Sequence, residues 1–227
     1  MKTFKNILSL LLAFMLISAA AIAQQGAQNE LTPKDPKAKA VLDKLSKKTK
    51  SYSTIAADFA YNLSNEGEGL DETQKGNIQI KGDKYIATLG NQKIISNGKN
   101  VWTYLMDVEE VQLTEVSEDD ESSIMNPKTL FTLYENGFKY AHKGTETEGG
   151  KTLDVINLYP TDPGEKPYHT VIMRIEQEKT QIHSITIKMK DGNTFSYTLT
   201  NFKPNQTMPD SQFNFTVPED AELIDLR

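Results

Sequence analysis

Three different spacings of apolar residues divide this chain. Ile7 to Ala20 is almost continuously apolar, preceded by Lys2 and Lys5 and followed by Ala21-Ile22-Ala23. Those fourteen residues are too few to span a bilayer. A basic start, an apolar middle and a small-residue ending are the pattern of a secretory signal peptide, here covering residues 1–23. From Asp35 the spacing becomes helical, with Ala38, Val41, Leu42, Leu45 and Thr49 on one face and Lys37, Lys39, Lys44, Lys47 and Lys48 on the other. Asp35 is a suitable N-cap, and Pro36 falls at the first helical position, where a missing N–H costs nothing. The lysine face reads as solvation or as a docking surface for anionic lipid or an acidic partner.

From Thr54 onward the period drops to two, and turn residues interrupt the runs at roughly ten-residue spacing, which predicts antiparallel strands of a sandwich or barrel. Turns are expected at Glu66-Gly67, Gly82-Asp83, Asn97-Gly98, Gly149-Gly150, Glu178-Lys179 and Asp191-Gly192, which delimit about eleven strands. Parity sharpens two of the hairpins. Around Asp191-Gly192 a two-residue loop would put the Ile185, Ile187 and Met189 set on the face opposite Phe195, Tyr197 and Leu199. A three-residue loop, Lys190-Asp191-Gly192 with Gly192 left-handed, pairs Ile187 with Phe195 and Ile185 with Tyr197, and is the loop predicted. At Asn97-Gly98 a two-residue turn pairs Ile94 with Val101 and leaves Trp102 and Tyr104 on the opposite face. The strand pattern breaks at the acidic stretch Ser117 to Ser123. Beyond it, Asn126 as cap and Pro127 as first residue predict a short helix carrying Leu130, Phe131, Leu133 and Tyr134.

The formal charge of −6 becomes −8 when Lys2 and Lys5 leave with the leader, which argues against nucleic acid as a partner. The chain has no cysteine, so it has neither a disulfide framework nor the thiol that would carry a lipoprotein's own lipid. The remaining residues, 24–227, suit one domain. Catalytic signatures are sparse. There is no G-x-S-x-G elbow, H-E-x-x-H pair or phosphate-cradling loop, and His142, His169 and His183 lack metal spacing. The run Glu118 to Glu121 has neither the spaced ligands nor the turn glycine of a calcium loop. His183 falls on the predicted apolar face of its strand and reads as a core histidine. No enzyme, cofactor or metal is expected, although 31 acidic residues leave room for unseen carboxylate pairs.

Three segments carry a resemblance to a known family. Leu42-Asp43-Lys44-Leu45 through Tyr52 to Asp58-Phe59, then Ser96-Asn97-Gly98-Lys99-Asn100-Val101-Trp102-Thr103-Tyr104 with Val108-Glu109, then Phe213-Asn214-Phe215-Thr216-Val217-Pro218 with Ile224-Asp225 occur in order. Together they resemble the periplasmic outer-membrane lipoprotein carriers, the LolA-like family. The resemblance implies an incomplete, open antiparallel β-barrel, mainly β with a few helices, covered by an α-helical lid. It implies a monomeric periplasmic carrier that takes triacylated lipoproteins from an ATP-driven inner-membrane exporter, shields their acyl chains and delivers them to the outer membrane, where an acceptor is possible. The groove would be lined by Phe59, Ile78, Ile80, Tyr85, Trp102, Tyr104, Met173, Ile185, Ile187, Met189, Phe195 and Tyr197, with Leu130, Phe131 and Leu133 as the lid. The family's lid-fastening arginine corresponds to Gly82 here, and Lys81 or Lys84 would have to substitute without guanidinium's forked donors. Two rival readings follow from the same sequence: an envelope sensor or interaction module on the same half-barrel, and a secreted lipid-modifying enzyme.

Overall fold

The computed structural model describes residues 35–116 and 129–227. The leader with its cleavage site, the acidic stretch from Ser117 and the Asn126-Pro127 helix start lie outside them.

Helix α1, Pro36–Lys50, starts as its sequence requires: the Asp35 carboxylate accepts the N–H groups of Lys37 at 2.8 Å and Ala38 at 3.2 Å. Its lysine-rich last turn complements the negative end of the helix dipole. Among the described residues twelve strands follow. They are β1 (Ile55–Asn65), β2 (Leu70–Lys81), β3 (Lys84–Leu89), β4 (Gln92–Ser96), β5 (Asn100–Leu105) and β6 (Glu110–Glu115), then, beyond two 3-10 turns at Thr129–Phe131 and Leu133–Glu135, β7 (Phe138–Glu148), β8 (Lys151–Pro160), β9 (Tyr168–Glu176), β10 (Gln181–Met189) and β11 (Thr194–Pro204). A third 3-10 turn, Asp210–Phe213, precedes β12 (Glu222–Asp225). All twelve form one sheet in the order β12-β6-β5-β4-β3-β2-β1-β11-β10-β9-β8-β7, open at β12 and β7. Every neighbouring pair is antiparallel except β12 with β6, and this short parallel edge is the strand that alternation does not announce.

Inner-facing side chains from β1 to β3 and from β8 to β11 join α1 and the first two 3-10 turns in a single apolar cluster, so the sheet curls around one core. Register sets this face: Phe59 lies opposite Leu199, Ile80 opposite Tyr85, Ile185 opposite Met173 and Ile187 opposite Val171. The three-residue loop at Lys190-Asp191-Gly192 is present, with Ile187 opposite Phe195, Ile185 opposite Tyr197 and Gly192 at φ +93°. At the other hairpin the expected pairing is off by two residues. Ser96 lies opposite Val101, and Ile94 meets Thr103 rather than Val101, because the loop residues are Gly98-Lys99. Asn97 Oδ1 accepts the N–H groups of Lys99 and Asn100, and Gly98 supplies the positive φ at the first loop position, +88°. A slip of two leaves every side chain on its own face.

Two bulges change faces where alternation does not. Between the pairs Ala56–Lys203 and Asp58–Thr200, β11 carries one residue more than β1, and Asn201 adopts φ +48°. The extra residue turns Phe202 inward, where its ring lies 6.4 Å from that of Phe131. In β10, His183 is the extra residue between the pairs Ile182–Ile175 and Ser184–Arg174. It is therefore not a member of the inner apolar row, and its Nε2 stands 3.4 Å from a Glu148 carboxylate oxygen.

Candidate functional site

The inner face of the sheet and its cover form the candidate site. Nine of the predicted lining and lid residues are buried together here: Phe59, Ile78, Ile80, Tyr85, Phe131, Met173, Ile185, Ile187 and Tyr197. Leu133, Met189 and Phe195 are partly buried against the same cluster. Leu130 belongs to the first 3-10 turn, but its side chain is outside the described residues. Gly76 lets Phe59 lie flat across β2, because a Cβ there would sit 2.4 Å from Phe59 Cζ and 2.5 Å from the Thr88 carbonyl oxygen.

Trp102 and Tyr104 are elsewhere. Their strand positions pair with Ile95, Leu113 and Val111 on the outer face, and both rings pack on Phe215, at 6.2 and 6.0 Å. Parity separates them from Ile94 as expected, but their face is the outer one and not that of the inner cluster. The segment after β11 covers this outer face, and Gln212 Nε2 donates to Gln79 Oε1 at 3.3 Å.

Lys81 and Lys84 fasten that same segment. Both ammonium groups pair with Asp210, at 2.7 and 2.9 Å, and Lys81 also donates to the Met208 carbonyl. The hydrogen bonds from Lys81 and Lys84 hold the Asp210 carboxyl at about 2. The expected lid latch is thus an outer-face clasp, and Gly82 between the two lysines occupies the β2–β3 turn with φ +57°.

The cover has its own ties. Alternation from Ile185 or Phe59 gives no reason to look at α1, yet Ala38, Leu42 and Leu45 form much of the roof, beside Phe131 and Tyr134. Glu135, at the end of the second 3-10 turn, joins the two parts of the cover. Ser46 Oγ donates to Glu135 Oε1 at 2.6 Å, and Lys50 Nζ pairs with Oε2 at 2.8 Å. Burial pushes the Glu135 carboxyl up, but the bonds from Lys50 and Ser46 outweigh burial and hold it below its ordinary value. Burial also pushes the neighbouring Tyr134 phenol up to about 12. At the other end of α1, Asp35 caps the helix with one carboxylate oxygen and accepts the His142 N–H of β7 with the other, at 2.8 Å. That backbone bond is the main cause of its lowered pKa. His142 is fixed in turn: Gly144 N–H points at Nδ1 at 3.1 Å, and Nε2 lies 2.7 Å from Asp154 Oδ1. A surface cavity of about 420 Å³ opens along the seam between α1 and the second turn, lined by Leu42, Ser46, Lys50, Tyr134, Glu135 and Tyr140 among others.

The chain that builds this open β-sheet, with its apolar inner face closed by a helix and 3-10 turns, matches a known family by its sequence. Residues 50–216 fit the family model described as outer membrane lipoprotein carrier protein LolA. The chain belongs to that family. Among similar curated proteins are outer-membrane lipoprotein carrier proteins of Francisella philomiragia, 26% identical with 81% of this chain and 87% of that protein covered, and of Pasteurella multocida, 26% identical with 81% and 86% covered. A solved structure of an uncharacterised conserved protein from Thermus thermophilus shares the fold at 11% identity and TM-score 0.52, over 83% of this chain and 99% of that one. Among the described residues no three His, Asp or Glu side chains are grouped to hold a metal ion.

Proposed function

We propose that this protein is a periplasmic carrier that binds the acyl chains of lipoproteins on the inner face of its sheet and ferries them between membranes. The observation that carries this reading is the composition of the core's roof. The apolar contacts of Phe131, Tyr134, Leu42 and Leu45 belong to pieces that sheet hydrogen bonding does not hold, tied by Glu135 and Asp35. A roof of this kind can leave without unpairing a strand. No helix among the described residues is long and apolar enough to cross a membrane.

The energetics suit transfer. Burying a sixteen-carbon chain gains about 12 kcal/mol at about 0.8 kcal/mol per methylene, enough to make release prohibitively slow if all of it were retained. Cargo that displaces Phe131, Leu133 and their neighbours exchanges one apolar burial for another, and only the difference remains as affinity. Met173 and Met189 add unbranched, polarisable surface that adapts to different chains. The exporter that loads the carrier and the acceptor that unloads it belong to the same reading.

Mass spectrometry of lipids extracted from protein purified without detergent, before and after incubation with a triacylated lipopeptide, tests it. Stoichiometric lipopeptide on the protein is expected. Protein that takes up none, even at a large excess, would refute carriage and leave the fold as an interaction module.

A further inference from the structure

We propose that the β12 edge of the sheet is a docking site for an extended, basic segment of a protein partner, added as a thirteenth strand. This inference is independent of acyl carriage and rests on a different part of the molecule. The large apolar residues exposed among the described residues are Met106, Val108, Leu223 and Leu226, and all four lie at this edge. Met106 and Val108 are in the β5–β6 turn. Leu223 and Leu226 lie in β12 and directly after it, and the Glu222 N–H donates to the Glu109 carbonyl beside that turn, at 2.8 Å. Val108 is 63% exposed and Leu226 60%, whereas Val111 and Leu113 of the adjoining β6 are buried.

The backbone of this edge is oriented for pairing. In the parallel ladder with β6, the N–H groups of Glu222 and Leu226 are used, by Glu109 and Leu113. By the two-residue alternation of a strand, the N–H and C=O groups of Leu223 and Asp225 point away from β6, and β12 ends the strand order among the described residues. Proteins blunt such edges with very short strands, charge, proline or a covering element. This edge is a four-residue strand whose carboxylates discourage pairing with its own kind, yet it keeps exposed apolar side chains between them.

Charge selects the occupant. Residues 106–115 and 219–227 hold eight carboxylates and one cation, Arg227, a local charge of −7 in a chain whose total is −6. The Arg227 guanidinium is folded onto Asp225. A second copy pairing edge to edge would bring Glu222 and Asp225 against their own kind, which is unfavourable for directly opposed like charges. A partner strand alternating lysine or arginine with Val, Ile or Leu satisfies both the exposed apolar positions and the carboxylates, while its backbone completes the Leu223 and Asp225 groups.

The test uses the full chain and a fluorescein-labelled ten-residue peptide alternating lysine and valine, read by fluorescence anisotropy. Two control peptides accompany it: one with glutamate for lysine, and one keeping every charge but N-methylated at alternate amides. Saturable binding of the lysine–valine peptide is expected, at least tenfold tighter than either control, with slower hydrogen exchange at the Leu223 and Asp225 amides. Leu223→Pro removes an outward N–H without touching the β6 ladder and should weaken binding at least tenfold; Glu110→Lys with Glu222→Lys should do the same while leaving β12 in place. Absence of binding, equal binding of the N-methylated peptide, or protection confined to other strands would overturn the proposal. So would a dimer in sedimentation that Leu223→Pro dissolves, because the occupant would then be a second copy.

Discussion

Replacing Phe131 by alanine separates a displaceable plug from ordinary core. Its ring is 4% exposed and packs on Phe202 beneath the cover. Truncating a buried phenylalanine costs about 3–5 kcal/mol, and on the proposed reading the contacts Phe131 makes with the sheet are lost when the cover lifts. In a two-state scheme the apparent affinity for cargo is the intrinsic affinity multiplied by the open fraction. If even about 1.5 kcal/mol of the loss falls on closure, binding tightens by about tenfold, and about 3 kcal/mol gives more than a hundredfold until the open form predominates. Phe131→Ala should therefore lower the urea midpoint and raise affinity for a fluorescent hexadecanoyl probe together. Ile156→Ala on β8, in the fixed wall of the same cluster, should lower both. The assay is a probe titration beside a urea melt on each variant. Probe affinity that falls in step with stability for Phe131→Ala would refute displacement and make Phe131 a structural residue.

Acid should loosen the cover. Glu135 and Asp35 both have lowered pKa values, so their stabilisation is complete above the ordinary carboxylate range and is lost as pH falls through the lower, folded values. Exchange of α1 amides, corrected for intrinsic rates, should quicken below about pH 4 and stay flat from pH 6 to 8. Glu135→Gln should remove the pH dependence contributed by that site and cost about 1 kcal/mol, since Lys50 is largely exposed and Ser46 keeps a partner. An unchanged α1 exchange profile in the variant counts against Glu135 as a tie. Asp35→Ala loses the cap and the His142 bond, and calorimetry should show Tm lower by about 2–8 °C for a loss of about 1–2 kcal/mol. Gly76→Ala should destabilise by about 1–3 kcal/mol in a urea melt, and Phe59→Leu should not restore it because the Thr88 carbonyl also blocks the new methyl. Trp102, the chain's one tryptophan, should keep its emission maximum on hexadecanoyl binding and shift to the red in Phe215→Ala; a shift on loading would return it to the groove.

The sheet and most of the inner wall were legible because strand periodicity and hairpin parity are local. Ile185, Ile187, Phe195 and Tyr197 follow from one loop length, and register then carries the face through Met173 and Val171. Three kinds of information were not local. Alternation distinguishes two faces without saying which is inner, and Trp102 and Tyr104 went to the wrong one because the segment that covers them, with Phe215, lies more than a hundred residues away. The partners of Lys81 and Lys84 had the same distance problem, since nothing near β2 points to Asp210. Bulges break the period itself: Phe202 faces inward only because Asn201 takes a left-handed conformation, which asparagine tolerates better than other side-chain-bearing residues but does not impose.

That last feature bears on how the cover works. Without the extra residue in β11, Phe202 would face outward, and Phe131 would lose the ring it meets. Tyr52, just beyond α1, also packs on Phe202, at 5.7 Å, so one rephased side chain touches the chain leaving the helix and the first 3-10 turn alike. Glu135 ties the helix to the second turn with charge, and Phe202 of the sheet holds the segment after the helix and the first turn by apolar contact. The two links differ in what breaks them. Acid releases the carboxylate and leaves the rings alone, whereas an acyl chain competes for ring contacts and cannot replace Glu135. On the proposed reading such a cover can be weakened from two sides, at the carboxylate by acid and at the rings by an acyl chain.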